Sequence, residues 1–342
     1  MKVLIFGGAG FIGANIARKI LEEGGEVLIS DDLSRTGSRL NLEWLREKGR
    51  VRFFQTDIRH YSGVKEIIHL HRDVDIIFHF AAQVAVTLSV DNPRKDFEIN
   101  ALGTFNILEA VREEGINPPF IFSSTNKVYG GMEKVKVEEK EKRYVLPDYP
   151  EGIGEDFPLD FHSPYGCSKG CADQYVRDYA RIYGMNTVVL RQSCIYGPRQ
   201  FGIEDQGWVA HFFISTLLDK PLFIYGNGKQ VRDLLYIDDL VELCWKCKDN
   251  IEKVKGEIFN VGGGKYNTIS LLELLETMER KGMKPRVSFS DPRPGDQKVF
   301  ICDIRKAKNQ LGWKPRVNVE EGIERLLRWI KDNLDIIRSA FT

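Results

Sequence analysis

Tyr165 and Lys169 lie four residues apart, at the start of a stretch whose pattern is helical. One helical turn brings side chains at this spacing to the same face. An ammonium beside a phenol favours the phenolate, and a phenolate formed below the usual pKa of about 10 can take the proton from an alcohol whose carbon loses hydride. The pair therefore predicts a general base, although the same spacing is common on ordinary surface helices.

A glycine-rich loop follows the first apolar run of the chain and precedes a helical pattern. It reads G-x-x-G-x-x-G and starts at Gly7. Glycines at such a turn let the backbone approach a pyrophosphate, which rests on the N-terminus of the next helix. We expect the following residues of this loop to bind a dinucleotide: Gly7, Gly10, Phe11, Ile12 and Gly13.

Two carboxylates, Asp31 and Asp32, end the second strand pattern. A carboxylate at this position accepts hydrogen bonds from the adenosine ribose and repels a 2′-phosphate, which favours NAD over NADP. Ser34 belongs to the same predicted cofactor turn. Arg35 is the opposing signal, because a guanidinium there could pair with a 2′-phosphate or stack on adenine.

Further cofactor contacts are predicted at the ends of the third and fourth strand patterns. Asp57, with Ile58, could accept a hydrogen bond from the adenine amino group, and the alternative for Asp57 is an N-cap of the helix that follows. Phe80, Ala81 and Ala82 end the fourth strand, where small residues let a cofactor pass close to the backbone. The alternative for Phe80 is a place in the core.

The order of strand and helix patterns indicates the fold class. Up to residue 191, apolar strand patterns at 2–6, 27–30, 51–55, 76–80, 120–123 and 187–191 alternate with helical patterns at 11–23, 40–48, 62–71, 97–114 and 164–183. This alternation predicts an α/β domain with a parallel sheet that helices cover on both faces. From 192 to 342, short strands at 222–225 and 257–260 mix with helices at 208–218, 239–248, 271–281 and 319–331, which predicts a smaller α+β lobe. Some segments of this second part could return to the first domain.

Composition excludes several classes of partner. Lys plus Arg and Asp plus Glu both number 49 in the 342 residues, so there is no overall basic charge to bind nucleic acid. We expect no membrane contact, because no apolar run approaches the roughly 18 residues of a membrane helix. The six cysteines show no disulfide framework, which fits the reducing cytoplasm, and Cys244 and Cys247 lie in a helical pattern without a second ligand pair, so no metal site is expected.

Taken together, these motifs resemble the extended short-chain dehydrogenase/reductase family of nucleotide-sugar enzymes. The resemblance covers almost the whole chain and also includes Asn100, residues 123–125, residues 197–199 and the late run Arg293-Pro294-Gly295-Asp296. It implies a Rossmann-type doubly wound sheet with a smaller substrate lobe, NAD as cofactor, and a homodimer or homotetramer.

The resemblance also implies roles for individual residues. Thr125 would hydrogen-bond the reacting sugar oxygen, and Tyr165 would be the base and later the acid. Lys169 would lower the pKa of Tyr165 and hold the nicotinamide ribose. Asn100 would support the site through a backbone contact, and its alternative is a buried helix cap.

The family pattern indicates the substrate and the type of reaction. Arg232 and Arg293 would clamp the diphosphate of a nucleotide sugar, whereas Gln83, Thr87 and His162 are candidate sugar contacts. Residues 124–130, 159–170 and 205–209 resemble the family members that epimerise C2 of a CDP-hexose. Related 4,6-dehydratases carry two acidic residues after the threonine, where this chain has Asn126 and Lys127, so elimination of water is not expected.

Three functions remain open at this stage. The first is a CDP-hexose 2-epimerase that oxidises C2 to a ketone with bound NAD and reduces it from the other face. The second is a UDP-sugar 4-epimerase, because the same tyrosine serves whichever hydroxyl the pocket presents. The third is a non-catalytic nucleotide-binding member of the same fold.

Overall fold

The computed structural model describes residues 1–293 and 296–341. The chain forms two compact units, and each is assembled from three segments. Residues 1–125, 163–191 and 241–259 form the first unit; residues 126–162, 192–240 and the described residues from 260 onwards form the second. The chain therefore passes from one unit to the other five times, after residues 125, 162, 191, 240 and 259.

Strands and helices alternate regularly up to Thr125. The order is β1 (Lys2–Phe6), α1 (Phe11–Glu22), β2 (Glu26–Asp31), α2 (Ser38–Arg46), β3 (Arg50–Gln55), α3 (Tyr61–Leu70), β4 (Ile76–His79), α4 (Val86–Asp91), α5 (Pro93–Phe97), a π-helical turn (Glu98–Leu102), α6 (Gly103–Glu113) and β5 (Phe120–Thr125).

The rest of the chain has shorter strands. A 3₁₀ turn (Asn126–Tyr129) precedes β6 (Glu138–Glu139), β7 (Tyr144–Val145), α7 (Ser163–Tyr183), β8 (Thr187–Gln192), β9 (Cys194–Tyr196), α8 (Trp208–Leu217), β10 (Leu222–Tyr225), β11 (Val231–Tyr236), α9 (Ile237–Asp249), α10 (Ile251–Val254), β12 (Ile258–Val261), β13 (Thr268–Ser270), α11 (Leu271–Arg280), β14 (Val287–Ser290), β15 (Val299–Phe300), α12 (Arg305–Leu311), α13 (Val319–Asp332) and α14 (Leu334–Ala340).

A seven-stranded sheet in the order β12-β8-β5-β4-β1-β2-β3 organises the first unit. Neighbouring strands from β3 to β5 pair in parallel; in one register, Val3 lies opposite Val27. The strand order reverses beside β1, and in open sheets of this type ligands bind at the carboxyl ends of the strands at such a point. The predicted Rossmann-type α/β fold is confirmed.

The central strands are mostly apolar because helices cover both faces of the sheet. Residues 3–6 of β1 and residues 76–79 of β4 are all buried. The segment 241–259 adds Trp245, whose ring stacks on Phe78 at 6.1 Å. This packing is the core that holds the carboxyl ends of the strands in place.

The second unit contains smaller sheets, one of which joins β9, β11, β13 and β15. The charged segment 133–143 enters this unit as a hairpin, because β6 pairs with β7 in antiparallel fashion. Ion pairs anchor the hairpin: Lys229 Nζ is 2.6 Å from Glu139, and Lys142 Nζ is 2.6 Å from Glu276. Among the described residues, no helix has the length and apolar character needed to cross a membrane.

Candidate active site

The glycine-rich loop lies between the ends of β1 and β4. Gly7 has a φ of +80°, and a Cβ there would lie 2.4 Å from the Ala81 backbone nitrogen. A Cβ on Gly13 would lie 2.3 Å from the Gly7 oxygen. Both contacts are shorter than atoms can tolerate, so the close turn requires glycine at these two positions.

The loop delivers the N-terminus of α1 to the edge of the sheet. Gly10 is the N-cap residue and has extended backbone, and no side chain caps the helix. The backbone N–H groups of Phe11 and Ile12 therefore lie in a first turn that is open to an anion. The expected pyrophosphate of NAD fits this glycine cradle and helix terminus.

Asp31 and Asp32 differ in their surroundings. Asp31 is buried, and its two oxygens accept hydrogen bonds from the N–H groups of Ala9 (3.0 Å) and Leu33 (2.9 Å). Burial raises the pKa of Asp31, and these backbone bonds oppose the rise. Asp32 is exposed and accepts from the N–H (2.9 Å) and hydroxyl (2.7 Å) of Ser34. Asp31 thus fastens the glycine loop while its remaining lone pairs are available to a ribose.

Arg35 interacts electrostatically with Tyr165, which the sequence did not suggest. Burial lowers the pKa of its guanidinium, and the negative forms of Tyr165, Asp32 and Asp31 oppose this effect, so the guanidinium lies within electrostatic range of all three. A positive charge near Tyr165 favours the phenolate. Arg35 therefore contributes positive charge near Tyr165 and is also a candidate cofactor contact.

Residues predicted at the third and fourth strands occupy two kinds of environment. Asp57 forms a bidentate pair with Arg59, with Oδ2 2.6 Å from Nη2, and this pair lowers the pKa of Asp57. Ile58 is buried against Gly103, whose Cβ would lie 2.6 Å from it. Phe80 stacks on Phe78 at 5.6 Å. Contacts from Ile58 to a cofactor would therefore come from its backbone.

Thr125, Tyr165 and Lys169 come together in the first unit, and all three are buried. Thr125 ends β5 and is hydrogen-bonded to the Tyr165 hydroxyl. Lys169 Nζ donates to the Ser123 carbonyl at 2.6 Å and lies 4.3 Å from the centre of the Phe122 ring. The three predicted catalytic residues thus form one cluster at the carboxyl end of β5.

Burial has the largest effect on the pKa values of both Tyr165 and Lys169, and the expected influence of Lys169 on Tyr165 stays a prediction. Burial raises the pKa of Tyr165 to about 12, and the opposing influences are the Thr125 hydrogen bond and the charge of Arg35. Burial also lowers the pKa of Lys169 to about 7, whereas Asp173 and Asp96 raise it. The sequence could not reveal this, because its periodicity shows a shared helix face but not the loss of solvent.

Asp96 is a buried carboxylate that the sequence did not identify. Its oxygens accept from Gln83 Nε2 (2.8 Å), Asn100 Nδ2 (3.1 Å) and Ser168 Oγ (2.5 Å). Ser168 lies on α7 between Tyr165 and Lys169. The expected backbone contact of Asn100 is present, since it accepts from Gln83 N–H (2.9 Å) and donates to the Gln83 carbonyl (3.0 Å). These bonds connect the segment after β4 with the catalytic helix.

A second buried cluster was also missed. Asp173, one turn beyond Lys169, pairs with Arg191 of β8 at 2.8 Å and accepts from the Ser124 hydroxyl at 2.6 Å. The Asp173 and Arg191 side chains are both almost fully buried. The pair fixes α7 against β8, and the Ser124 hydrogen bond fixes it against β5, which carries Thr125. A sequence signal existed in the i,i+4 spacing from Lys169 to Asp173.

The candidate sugar contacts differ in their availability. The side-chain amide of Gln83 donates hydrogen bonds to the Ala85 carbonyl (2.8 Å) and to Asp96. Gln83 therefore holds neighbouring residues of the site in place. Among the described residues, Thr87 Oγ1 is buried without a hydrogen-bond partner. His162 is exposed and belongs to the second unit.

The two arginines predicted to bind a diphosphate also belong to the second unit, and each contacts carboxylates. Arg232 Nη2 is 2.7 Å from Asp296, whereas Arg293 Nη2 is 3.0 Å from Glu204 and 3.1 Å from Asp205. Pro294 and Gly295 of the late motif lie outside the described residues. A diphosphate would compete with these carboxylates for the guanidinium groups.

Comparisons with known proteins agree with this geometry. The sequence profile of the GDP-mannose 4,6-dehydratase family matches residues 4–326. A CDP-paratose 2-epimerase from Salmonella typhi is 47% identical over 96% of this chain and 99% of its own length.

Solved structures give the same picture at the level of the fold. The UDP-glucose 4-epimerase of Thermotoga maritima, solved with UDP-glucose, has a TM-score of 0.82 and 32% identity and covers 98% of this chain and 100% of its own. The UDP-glucose 4-epimerase of Thermus thermophilus, solved with NAD, has a TM-score of 0.80 and 33% identity and covers 97% and 99%.

Proposed function

The chain belongs to the GDP-mannose 4,6-dehydratase family of extended short-chain dehydrogenases/reductases, and on this basis we propose that it is an NAD-dependent epimerase that inverts C2 of a CDP-hexose. The observation that carries the proposal is the 47% identity to a CDP-paratose 2-epimerase, which spans nearly the whole of both chains. The substrate is a hexose of the CDP-paratose, CDP-tyvelose or CDP-glucose type.

The residues after Thr125 support epimerisation over dehydration within this family. Removing water from a sugar requires groups that add and remove protons at two further carbons. Asn126 and Lys127 stand where the dehydratases carry acidic residues. Oxidation followed by reduction is the chemistry that remains.

The catalytic cluster accounts for both half-reactions. When bound, NAD supplies the hydride acceptor and then the hydride donor. Tyr165 removes the proton of the C2 hydroxyl as a 2-keto sugar forms, and it returns that proton when the ketone is reduced on its opposite face. Thr125, hydrogen-bonded to Tyr165, orients the reacting oxygen. Lys169, which donates to the Ser123 carbonyl, would hold the nicotinamide ribose.

The second candidate is a UDP-sugar 4-epimerase. Its support is the likeness to the Thermotoga maritima UDP-glucose 4-epimerase, at 32% identity. A tyrosine and a threonine do not distinguish C2 from C4, because the carbon oxidised is the one that the substrate pocket presents to them. The lower identity makes this the weaker candidate.

Two measurements test the proposal. NMR of the products from CDP-paratose, CDP-glucose and UDP-glucose identifies the carbon and the nucleotide; inversion at C4 of UDP-glucose with no reaction of the CDP sugars would falsify the C2 assignment. The mechanism is tested in deuterated water. Direct return of hydride leaves the C2 hydrogen unexchanged, so deuterium at C2 contradicts transient oxidation.

We also infer that the protein is a homo-oligomer, a homodimer or homotetramer, of the reducing cytoplasm. Apolar side chains on helices of the first unit are exposed: Phe97 (54%), Phe105 (37%) and Tyr175 (45%). Phe105 and Tyr175 touch edge to face at 5.6 Å and so form one patch on α6 and α7. Patches of this kind mark protein interfaces. The cytoplasmic assignment is supported by the six cysteines, none of which is in a disulfide.

A further inference from the structure

Lys127 is a mostly buried cation to which the proposed reaction assigns no task. It lies in the 3₁₀ turn after β5, in the second unit, and its side chain is 20% exposed. Its Nζ is 3.8 Å from Asp296 Oδ1. Taking an ammonium out of water is costly unless nearby anions compensate it.

Arg232 of β11 competes for the same anion. Its Nη2 is 2.7 Å from Asp296 Oδ1, and its side chain is 12% exposed. The third titratable group that faces Lys127 is Cys194 of β9, whose pKa is raised by burial, so that it stays a neutral thiol. Lys127 and Arg232 therefore approach the same carboxylate oxygen, and the side chains of both are mostly buried.

Two cations this close together favour a negatively charged ligand between them. Arginine and lysine side chains are the groups that bind phosphate in proteins. We propose that Lys127 and Arg232 form one anion subsite that binds a phosphate group of a nucleoside diphosphate. The inference rests on the proposed function for the identity of the ligand, and it adds Lys127 to the residues that hold it.

The subsite has a protonation signature. Burial and the neighbouring Arg232 lower the pKa of Lys127 to about 8, and Asp296 opposes the change. A phosphate beside the ammonium raises that pKa again. At pH 8 about half of the free protein carries neutral Lys127, so binding takes up on the order of half a proton. For the same reason, affinity for the diphosphate falls as the pH rises above about 8.

Isothermal titration calorimetry tests this on the NAD-loaded protein. CDP is titrated at pH 8 in two buffers that differ in their enthalpy of ionisation, which yields the number of protons taken up. We expect uptake by the unaltered protein, no uptake by Lys127→Met, and an affinity for CDP reduced about tenfold or more in that variant. Lys127→Arg, which stays charged, keeps its affinity for CDP at pH 9.

Lys281→Met is the matched control. Lys281 is also in the second unit, and it pairs with Glu324 (3.0 Å) instead of Asp296. This variant is expected to bind CDP with unchanged affinity and with the same proton uptake. Cytidine, which lacks phosphate, is expected to bind Lys127→Met and the unaltered protein equally well.

Two results overturn the inference: no proton uptake by the unaltered protein at pH 8, or unchanged CDP affinity in Lys127→Met. The first needs no variant, so the test stands even if Lys127→Met does not fold. UDP is titrated in parallel. If UDP binds and CDP does not, the proposed CDP substrate is wrong, and the proton uptake measured with UDP still decides the role of Lys127.

Discussion

Tyr165 and Lys169 are both buried, and burial moves their pKa values in opposite directions because it disfavours the charged form of each group. The pKa of the Tyr165 phenol rises to about 12, and the pKa of the Lys169 ammonium falls to about 7. Near neutral pH the phenol of the protein without ligands is protonated. The positive charge of Arg35 opposes the rise in the pKa of Tyr165 and so favours the phenolate.

Removing the phenol hydroxyl tests its role as base. We expect Tyr165→Phe to lower kcat by about 10² to 10⁴, the usual contribution of a positioned general base. The rate is measured by NMR of the sugar product. Tyr175→Phe, on the same helix but exposed, serves as the control and keeps its activity. Undiminished turnover in Tyr165→Phe would instead favour a different base.

Lys169 makes stability depend on pH in a predictable direction. The pKa of Lys169 is about 7 in the folded protein, against 10.5 for an ordinary lysine, the value taken for the unfolded chain. Between these two pH values the unfolded chain binds more protons than the folded protein, so the free energy of unfolding rises with pH. Below pH 7 both states are protonated and the contribution is constant. We expect the Tm of the unaltered protein minus that of Lys169→Met to increase from pH 7 to pH 10, as measured by calorimetry. A difference that stays flat or falls contradicts the burial of a charged Lys169.

Asp96 is a positioning residue whose charge can be separated from its hydrogen bonds. Asp96→Asn keeps an oxygen for Gln83 and Asn100 but removes a negative charge that raises the pKa of both Tyr165 and Lys169. We expect the acid limb of the kcat profile to move to lower pH.

Ser168→Ala supplies the comparison for Asp96, since it removes the 2.5 Å bond to Oδ2 and leaves the charge. It is expected to lower the Tm without moving the acid limb. If both variants leave that limb at the same pH as in the unaltered protein, Asp96 has only a structural role.

At the scale of elements, the turn from β1 to α1 is the least tolerant of change. A Cβ on Gly13 meets the Gly7 oxygen at 2.3 Å, so Gly13→Ala must open the loop that receives the pyrophosphate. We expect NAD binding, followed by fluorescence titration, to be lost or weakened by more than tenfold. Gly63→Ala, inside α3 with its nearest contact at 3.4 Å, is the control and is expected to bind NAD normally. Normal NAD affinity in Gly13→Ala refutes the assignment of this loop.

The sequence predicted the elements whose apolar pattern is visible within a few consecutive residues. The strand at 222–225 has the predicted bounds, and the first six predicted strands differ from β1 to β5 and β8 by two residues or fewer at either end. The pattern missed β11 and β15, whose pairing joins residues almost 70 positions apart and leaves no periodic signal. The predicted helix at 97–114 is not α-helical throughout. Its first part, Glu98–Leu102, is a π-helical turn that contains Asn100.

The residues of the candidate site divide in the same way: those with a local sequence pattern were predicted, and those whose contacts are distant in sequence were missed. The glycine loop and the Tyr165–Lys169 spacing are local signals, and the structure adds the hydrogen bond from Thr125 to Tyr165. Asp96 and Arg191 were missed, because the contacts that join them to the catalytic helix span 72 and 18 residues. The charge of Asp96 raises the pKa of both Tyr165 and Lys169, although burial has the larger effect on each.

At the scale of the whole molecule, the patch on α6 and α7 predicts self-association. A carboxylate placed in an apolar interface is strongly unfavourable, so Phe105→Glu is expected to convert the oligomer to a monomer. Analytical ultracentrifugation measures the change. Phe289→Glu alters an equally apolar but separate residue of the second unit, 59% exposed, and is expected to keep the native mass. An unchanged mass for Phe105→Glu moves the interface elsewhere.

The five passages of the chain between its units restrict how such a protein can be recombined. Consider a chimaera that keeps residues 1–191 of this chain and takes the rest from a relative. Its first unit would then contain the relative's residues at 241–259. The exchange would replace both Trp245, which packs on Phe78, and the start of β12. Transplanting the second unit intact requires three exchanged segments and five matched junctions. Specificity in a chain threaded in this way changes more readily by substitution at single positions than by the shuffling of whole modules.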